Sequence, residues 1–177
     1  MTRVLLDACV LVPATTRALL TGLADEGYFT PLWSPAIFAE WSHAAARQSD
    51  EIVAQTQIEQ SLLDARFPQS SITTPDRPDL SLPDENDTHV LAAAIEGGTD
   101  ELLTANIQDF PLRVLSAHGI LRRHPDEWLL EAAHQHPALL REIALRTHAG
   151  LPNAGPLRKT FHKYGLNRFA KWLTSQH

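Results

Sequence analysis

Short apolar runs alternating with segments of helical periodicity predict an α/β fold: a three-layer α/β/α, doubly wound and mostly parallel sheet, followed by a helical extension. Three observations carry this expectation. Segments of strand length occur at residues 3–7, where the run is apolar, and at 29–33, 101–104 and 120–123. Between them lie stretches whose apolar residues recur at helical spacing. Beyond residue 124 the strand signal stops, and short helical stretches broken by Pro and Gly follow. The expected division is therefore a domain over residues 1–124 and a helical extension over 125–177, a size that accommodates one ordinary core with an addition.

In order, Arg3-Val-Leu-Leu-Asp7 reads as a strand ending in an acid, and Val12 to Leu23 as the helix after it. Phe29 to Trp33 is the second strand. Ser34-Pro35 supplies an N-cap and a first-turn proline for a helix through about Gln48, and Asp50 to Phe67 repeats the helical pattern. A loop rich in Pro, Ser and Thr spans Pro68 to Pro83. Asp84 then opens a helix that Gly97-Gly98 ends. Glu101 to Thr104 is a third strand, Pro111 to His118 a short helix, and Ile120 to Arg123 the last strand. Pro125-Asp126-Glu127 starts the extension, which breaks at Pro137, at Gly150 to Pro156 and at Gly165 into three or four helices.

Composition removes several classes of function. Cys9 is the sole cysteine, so neither an internal disulfide nor a zinc site built on paired thiolates is available. Cys9 itself reads as packing beside the first strand. No apolar run approaches the roughly 20 residues that span a bilayer, and the chain is expected in the cytoplasm. There is no Gly-x-Gly-x-x-Gly and no Gly-Lys-Ser/Thr, and no His-Glu-x-x-His among the nine histidines. His134 and His136, beside Pro137, read as surface residues. Charge is divided unevenly: residues 1–120 hold 6 Arg, no Lys and 17 Asp and Glu, while residues 121–177 carry a net +5. A body without lysine argues against a phosphatase or phosphotransfer receiver that uses Asp7 as nucleophile.

In a doubly wound sheet, sites form at the carboxyl ends of the strands. Asp7 ends the first strand, Glu40 lies in the helix after the second, Asp87 in the first turn after the Pro-rich loop, and Asp109 after the Thr104 strand, so all four can reach one crevice. Singly, each acid has an alternative use as a cap, a helix-terminus charge or a solvated side chain, and so do Asp84 and Glu85. Together, carboxylates without a nearby Lys or Arg repel one another unless a divalent cation sits between them, and oxygen-only ligands favour Mg²⁺ or Mn²⁺.

The blocks Val4-Leu5-Leu6-Asp7-Ala8-Cys9-Val10-Leu11, Ala39-Glu40-Trp41, Asp84-Glu85-Asn86-Asp87-Thr88-His89-Val90-Leu91-Ala92-Ala93-Ala94 and Leu103-Thr104-Ala105-Asn106-Ile107-Gln108-Asp109-Phe110-Pro111 resemble, in this order, those of the PIN-domain nucleases. The resemblance covers residues 1 to about 124. It implies a metal-dependent endoribonuclease in which Asp7, Glu40 and Asp87 bind metal, Asp109 is a fourth acid and Asp84 a nearby helper. One or two Mg²⁺ or Mn²⁺ ions would activate water against the scissile phosphorus, with a 5′-phosphate and a 3′-hydroxyl left behind. Thr104 and Asn106 are neutral groups suited to holding the phosphate. Asn106 is a departure, because many members carry an acid there; Asp109, three residues on, can supply the missing carboxylate. The departure also leaves open a second reading, a catalytically degraded module that only binds RNA or protein.

The segments His124-Pro-Asp-Glu-Trp-Leu-Leu130 and Gly165-Leu-Asn-Arg-Phe-Ala170 resemble the helical extension of some bacterial VapC-type toxins. That resemblance implies a type II toxin with a cognate antitoxin that inserts near the acidic site, and a homodimer is common among such toxins. Arg158, Lys159, Lys163, Arg168 and Lys171 interleave with Phe161, Tyr164, Phe169 and Trp172. This basic tail fits RNA, with cations on phosphates and aromatics stacked on bases, or it fits the antitoxin. The alternative is an ordinary helical face, aromatic side inward and charges in water.

Overall fold

The computed structural model describes residues 1–175. Four strands form one parallel sheet: β1 (Arg3–Leu6), β2 (Thr30–Leu32), β3 (Glu101–Leu103) and β4 (Leu121–Arg123), in the spatial order β2-β1-β3-β4. Leu5 pairs with Leu32 on one side and with Leu102 on the other. Successive residues of a strand face opposite sides, and Val4, Leu5 and Leu6 are all fully buried, so both faces of the sheet are covered. This is the doubly wound α/β arrangement that the apolar runs predict. The chain winds from β1 to β2 in one direction and then adds β3 and β4 on the other side of β1, which makes the carboxyl edge between β1 and β3 the switch point.

The helices of the body are α1 (Ala8–Leu11), α2 (Ala14–Asp25), α3 (Pro35–Ala46), α4 (Asp50–Arg66), α5 (Thr88–Glu96) and α6 (Leu112–Ala117). The helix expected from Val12 to Leu23 starts at Ala14, and a separate short helix, α1, precedes it. Proline lacks the N–H that a continuous helix needs, so Pro13 closes the first turn and its carbonyl starts the second helix by accepting from Arg17 N. Asp84 opens a 3-10 turn (Glu85–Asp87) ahead of α5, where one helix was expected. Ser34 caps α3 through Ile37 N at 3.2 Å, with Pro35 in the first turn. Gly98, at φ 54°, ends α5 in the left-handed conformation that a side chain resists.

The extension forms α7 (Pro125–Gln135), α8 (Pro137–Ala149), α9 (Leu157–Lys163) and α10 (Asn167–Ser175), with breaks where Pro137, Gly150 to Pro156 and Gly165 predict them. Its expected span runs to His177, and residues 176–177 lie outside the described residues. Its helices share one core with the body. Trp128 of α7 meets Phe29 edge-on at 5.0 Å and donates from Nε1 to Glu101 at 2.7 Å. Phe161 and Phe169 are fully buried and Trp172 nearly so, which removes them as stacking platforms for bases. Arg158, Lys159, Lys163, Arg168 and Lys171 are exposed, and Arg168 pairs with Glu127.

Two contacts fasten the extension. Asp126, itself buried, accepts from Arg168 N and Phe169 N at 2.9 Å each and so caps α10 from another helix. Asp126→Ala should lower the unfolding free energy by about 1–3 kcal/mol, the usual loss when buried donors are orphaned, as read by urea denaturation. At the α2–α8 crossing, a Cβ on Gly22 would stand 2.8 Å from Ile143 Cγ2. Gly22→Ala should therefore destabilise the protein although alanine is the better helix former, while in an Ile143→Ala background the same change should stabilise by up to about 1 kcal/mol. Additive effects in that double-mutant cycle would refute the packing argument.

Candidate metal centre

Asp7 follows β1 directly and Thr104 follows β3, so the pairing of these strands sets their side chains together at the switch point. Asp7 is 5 % exposed and Thr104 is fully buried. Thr104 Oγ1 donates to Asp7 Oδ2 at 2.7 Å, and the Cys9 thiol donates to the same oxygen at 3.0 Å. Cys9 Sγ in turn accepts from Ala105 N at 3.2 Å. Burial and the adjacent Asp7 charge push the Cys9 thiol up to about 12, so it stays protonated. Cys9 is thus a hydrogen-bond donor to the first acid as well as a packing residue.

The Pro-rich loop and the β3 loop bring three further acids to this edge. Leu82 is buried and anchors the chain just ahead of Asp84. Carboxylate oxygens of Asp84, Asp87 and Asp109 lie within 4.8 Å of one another. Asp84 Oδ1 accepts from Asn86 N and Asn86 Nδ2, both at 2.9 Å. Asn106 sits between the other two acids, its Nδ2 donating to Asp109 Oδ2 at 2.5 Å and to Asp87 Oδ2 at 3.4 Å. Its backbone N donates to Thr104 Oγ1 at 3.0 Å. Arg122, which the sequence reading left without a role, holds this loop by donating to the carbonyls of Ile107 and Phe110 at 2.8 Å each.

Glu40, on α3, stands outside the close trio, as does Asp7. Its Oε1 is 2.8 Å from His89 Nε2, on α5 two residues past Asp87. His89 falls inside a block singled out in the sequence, but its role depends on a partner 49 residues away that no local pattern reveals. Desolvation lowers the His89 pKa, but the bond to Glu40 and the charges of Glu40, Asp7 and Asp87 outweigh it and the net direction is up.

The electrostatics show what the cluster lacks. Among the described residues, no Lys or Arg forms an ion pair with Asp7, Glu40, Asp84, Asp87 or Asp109. Burial raises the Asp7 carboxyl, against the bonds from Thr104 and Cys9, and the Glu40 charge adds to the rise. Burial followed by the charges of Asp7, Asp84, Asp109 and Glu40 lifts Asp87 to about 6. Hard oxygen donors, crowded and without a cation of the protein's own, fit a divalent ion of the Mg²⁺ class.

Residues 2–108 match the family model of the PIN domain. The chain belongs to the PIN-domain family. PIN domains are generally nucleases, typically act on RNA and usually use divalent metal ions, and the acidic cluster of this one lies where the fold places a binding site. No curated protein and no solved structure matches the chain at a significant level. Among the described residues, no helix of this PIN-domain protein is long and apolar enough to cross a membrane.

A raised carboxyl makes a signed prediction for the metal-free protein. Asp87 resists ionisation in the fold, so its penalty on stability is fully present well above pH 6 and is relieved progressively as the pH falls from about 6 to the ordinary carboxyl value of 3.8. In EDTA, Asp87→Asn should raise the Tm most at pH 7.5, by less at pH 5 and little near pH 3.8. A Tm gain independent of pH would contradict the repulsion described here.

Proposed function

We propose that this PIN-domain protein is a metal-dependent endoribonuclease, the toxin of a type II toxin–antitoxin pair, with residues 1–124 as the nuclease unit and 125–177 as a helical extension. The observation that carries the reading is the convergence of Asp84, Asp87 and Asp109 beside buried Asp7, with no Lys or Arg among the described residues ion-paired to them. Asp7, Glu40, Asp87 and Asp109 would hold Mg²⁺ or Mn²⁺, with Asp84 assisting. The bound metal would supply an activated water and offset the charge that grows on the phosphoryl and leaving oxygens. Thr104 fixes Asp7 through Oδ2, and Asn106 keeps Asp87 and Asp109 side by side with a neutral donor that can turn to an incoming phosphate.

The exposed cations Arg158, Lys159, Lys163, Arg168 and Lys171 are available to RNA phosphates or to the antitoxin. Ile58 and Leu62, 62 % and 61 % exposed on α4, offer an apolar face for the antitoxin or for a homodimer. Cytoplasmic residence belongs to the same proposal. A second reading, an RNA- or protein-binding module without catalysis, is favoured by Asn106 alone, which puts an amide where relatives carry an acid.

The test is incubation of the purified, partner-free protein with total RNA from its host, with Mg²⁺, Mn²⁺ or EDTA, and mapping of new 5′ ends. Discrete metal-dependent ends are expected. Asp87→Asn should slow their appearance by about a hundredfold or more, equivalent to roughly 3 kcal/mol of lost transition-state stabilisation. RNA that stays intact throughout, together with Mn²⁺ binding that Asp87→Asn does not weaken, would replace this proposal by the binding module.

A further inference from the structure

We infer that His89 is a positioning residue for Glu40, holding one carboxylate oxygen so that the other is presented to the cation; this rests on the metal-centre reading above. A carboxylate only accepts hydrogen bonds, so the 2.8 Å contact has His89 Nε2 donating to Glu40 Oε1. Among the described residues, Oε2 of Glu40 has no hydrogen-bond partner. No Lys or Arg is paired with Glu40, so the imidazole is its one ion-pairing side chain among these residues.

The placement of the ring supports a specific task. His89 Nδ1 is buried without a partner, a cost that an unconstrained surface histidine would avoid by turning to water. The ring keeps that cost and spends its other nitrogen on Glu40. The bond also joins two elements that bring acids to the site. Glu40 comes from α3, and His89 shares its helical start with Asp87, so the imidazole ties the Glu40 carboxylate to the element that carries Asp87. Without it, a glutamate with three rotatable side-chain bonds on a partly exposed helix face would swing away from charges that repel it. Partners of this outer kind orient metal ligands and set their affinity.

The test compares full-chain wild type, His89→Phe, His89→Gln, Glu40→Gln and Asp87→Asn by Mn²⁺ calorimetry, with melting in EDTA as the fold control. His89→Phe keeps a ring but removes the donor and should weaken Mn²⁺ binding about 10-fold or more, in the range found for outer-shell partners of metal ligands. His89→Gln, whose amide N–H can reach Glu40, should recover most of the loss. In the Glu40→Gln background, His89→Phe should cost little more. A purely structural histidine would lower the EDTA Tm and leave Mn²⁺ affinity unchanged in folded His89→Phe, which would overturn the inference. Failure of the parent reading looks different: wild type would not bind Mn²⁺, or Asp87→Asn would bind it as well as wild type.

Discussion

Parallel pairing of β1 with β3 is the constraint on which the site depends. It sets Leu6 opposite Leu103, and the next residues, Asp7 and Thr104, therefore leave the sheet side by side. Asp7 N even extends the ladder by one bond, to Leu103 O at 3.2 Å. From that point the chain can wind only outward in both directions, which opens a crevice above the two strands. The loop after β3 then supplies Asn106 and Asp109, and the loop before α5 supplies Asp84 and Asp87. Buried Val4, Leu5, Leu6, Leu102 and Leu103 make the pairing costly to shift, because a one-residue slip would turn polar neighbours into the core.

The carboxylates gathered there are managed with neutral donors more than with charge. Thr104 and Cys9 share one oxygen of Asp7, Asn86 takes Asp84, and Asn106 spans Asp87 and Asp109. An arginine in the same crevice would relieve the repulsion more completely and would also fill the space a cation needs. Hydroxyl, thiol and amide donors fix the geometry and leave the summed negative charge in place, as the raised Asp7 and Asp87 carboxyls record. His89 is the one group of cationic type among these partners, and it bonds to Glu40, which lies outside the trio on α3.

What was legible in the sequence follows from the range of the forces involved. The central strand, covered on both faces, announces itself as the apolar run Val4-Leu5-Leu6, and the three other strands were visible from shorter apolar stretches between turn signals. Asp7, Asp84, Asp87 and Asp109 were visible because acids at strand ends and helix starts are placed by local structure. The buried aromatics of the extension obeyed their helical period and went to the core, as the reading of the tail as an ordinary helical face expects. The tight turn of α1 was missed because four residues carry no periodicity. Cys9 as a donor, Arg122 as the tie of the β3 loop, His89 and the remote cap from Asp126 were missed because each depends on a partner that tertiary folding brings near.

Asn106 weighs on both readings of the site, and its surroundings favour one of them. A PIN domain released from metal binding has no reason to keep a repulsive cluster, since one lysine, or one acid changed to an apolar residue, would stabilise it. Here Asp7, Glu40, Asp84, Asp87 and Asp109 are all present around the amide of Asn106. The amide donates to Asp87 and Asp109 at once, and both carboxylates remain within reach of Asp84. An amide at that place adds no charge to the repulsion, while Asp109, three residues on, supplies a carboxylate in the same loop. Arg122 and buried Phe110 hold that loop in shape. Rigid support beneath residues that repel one another is a cost to the fold, and a cation bound at the crevice is what would offset it.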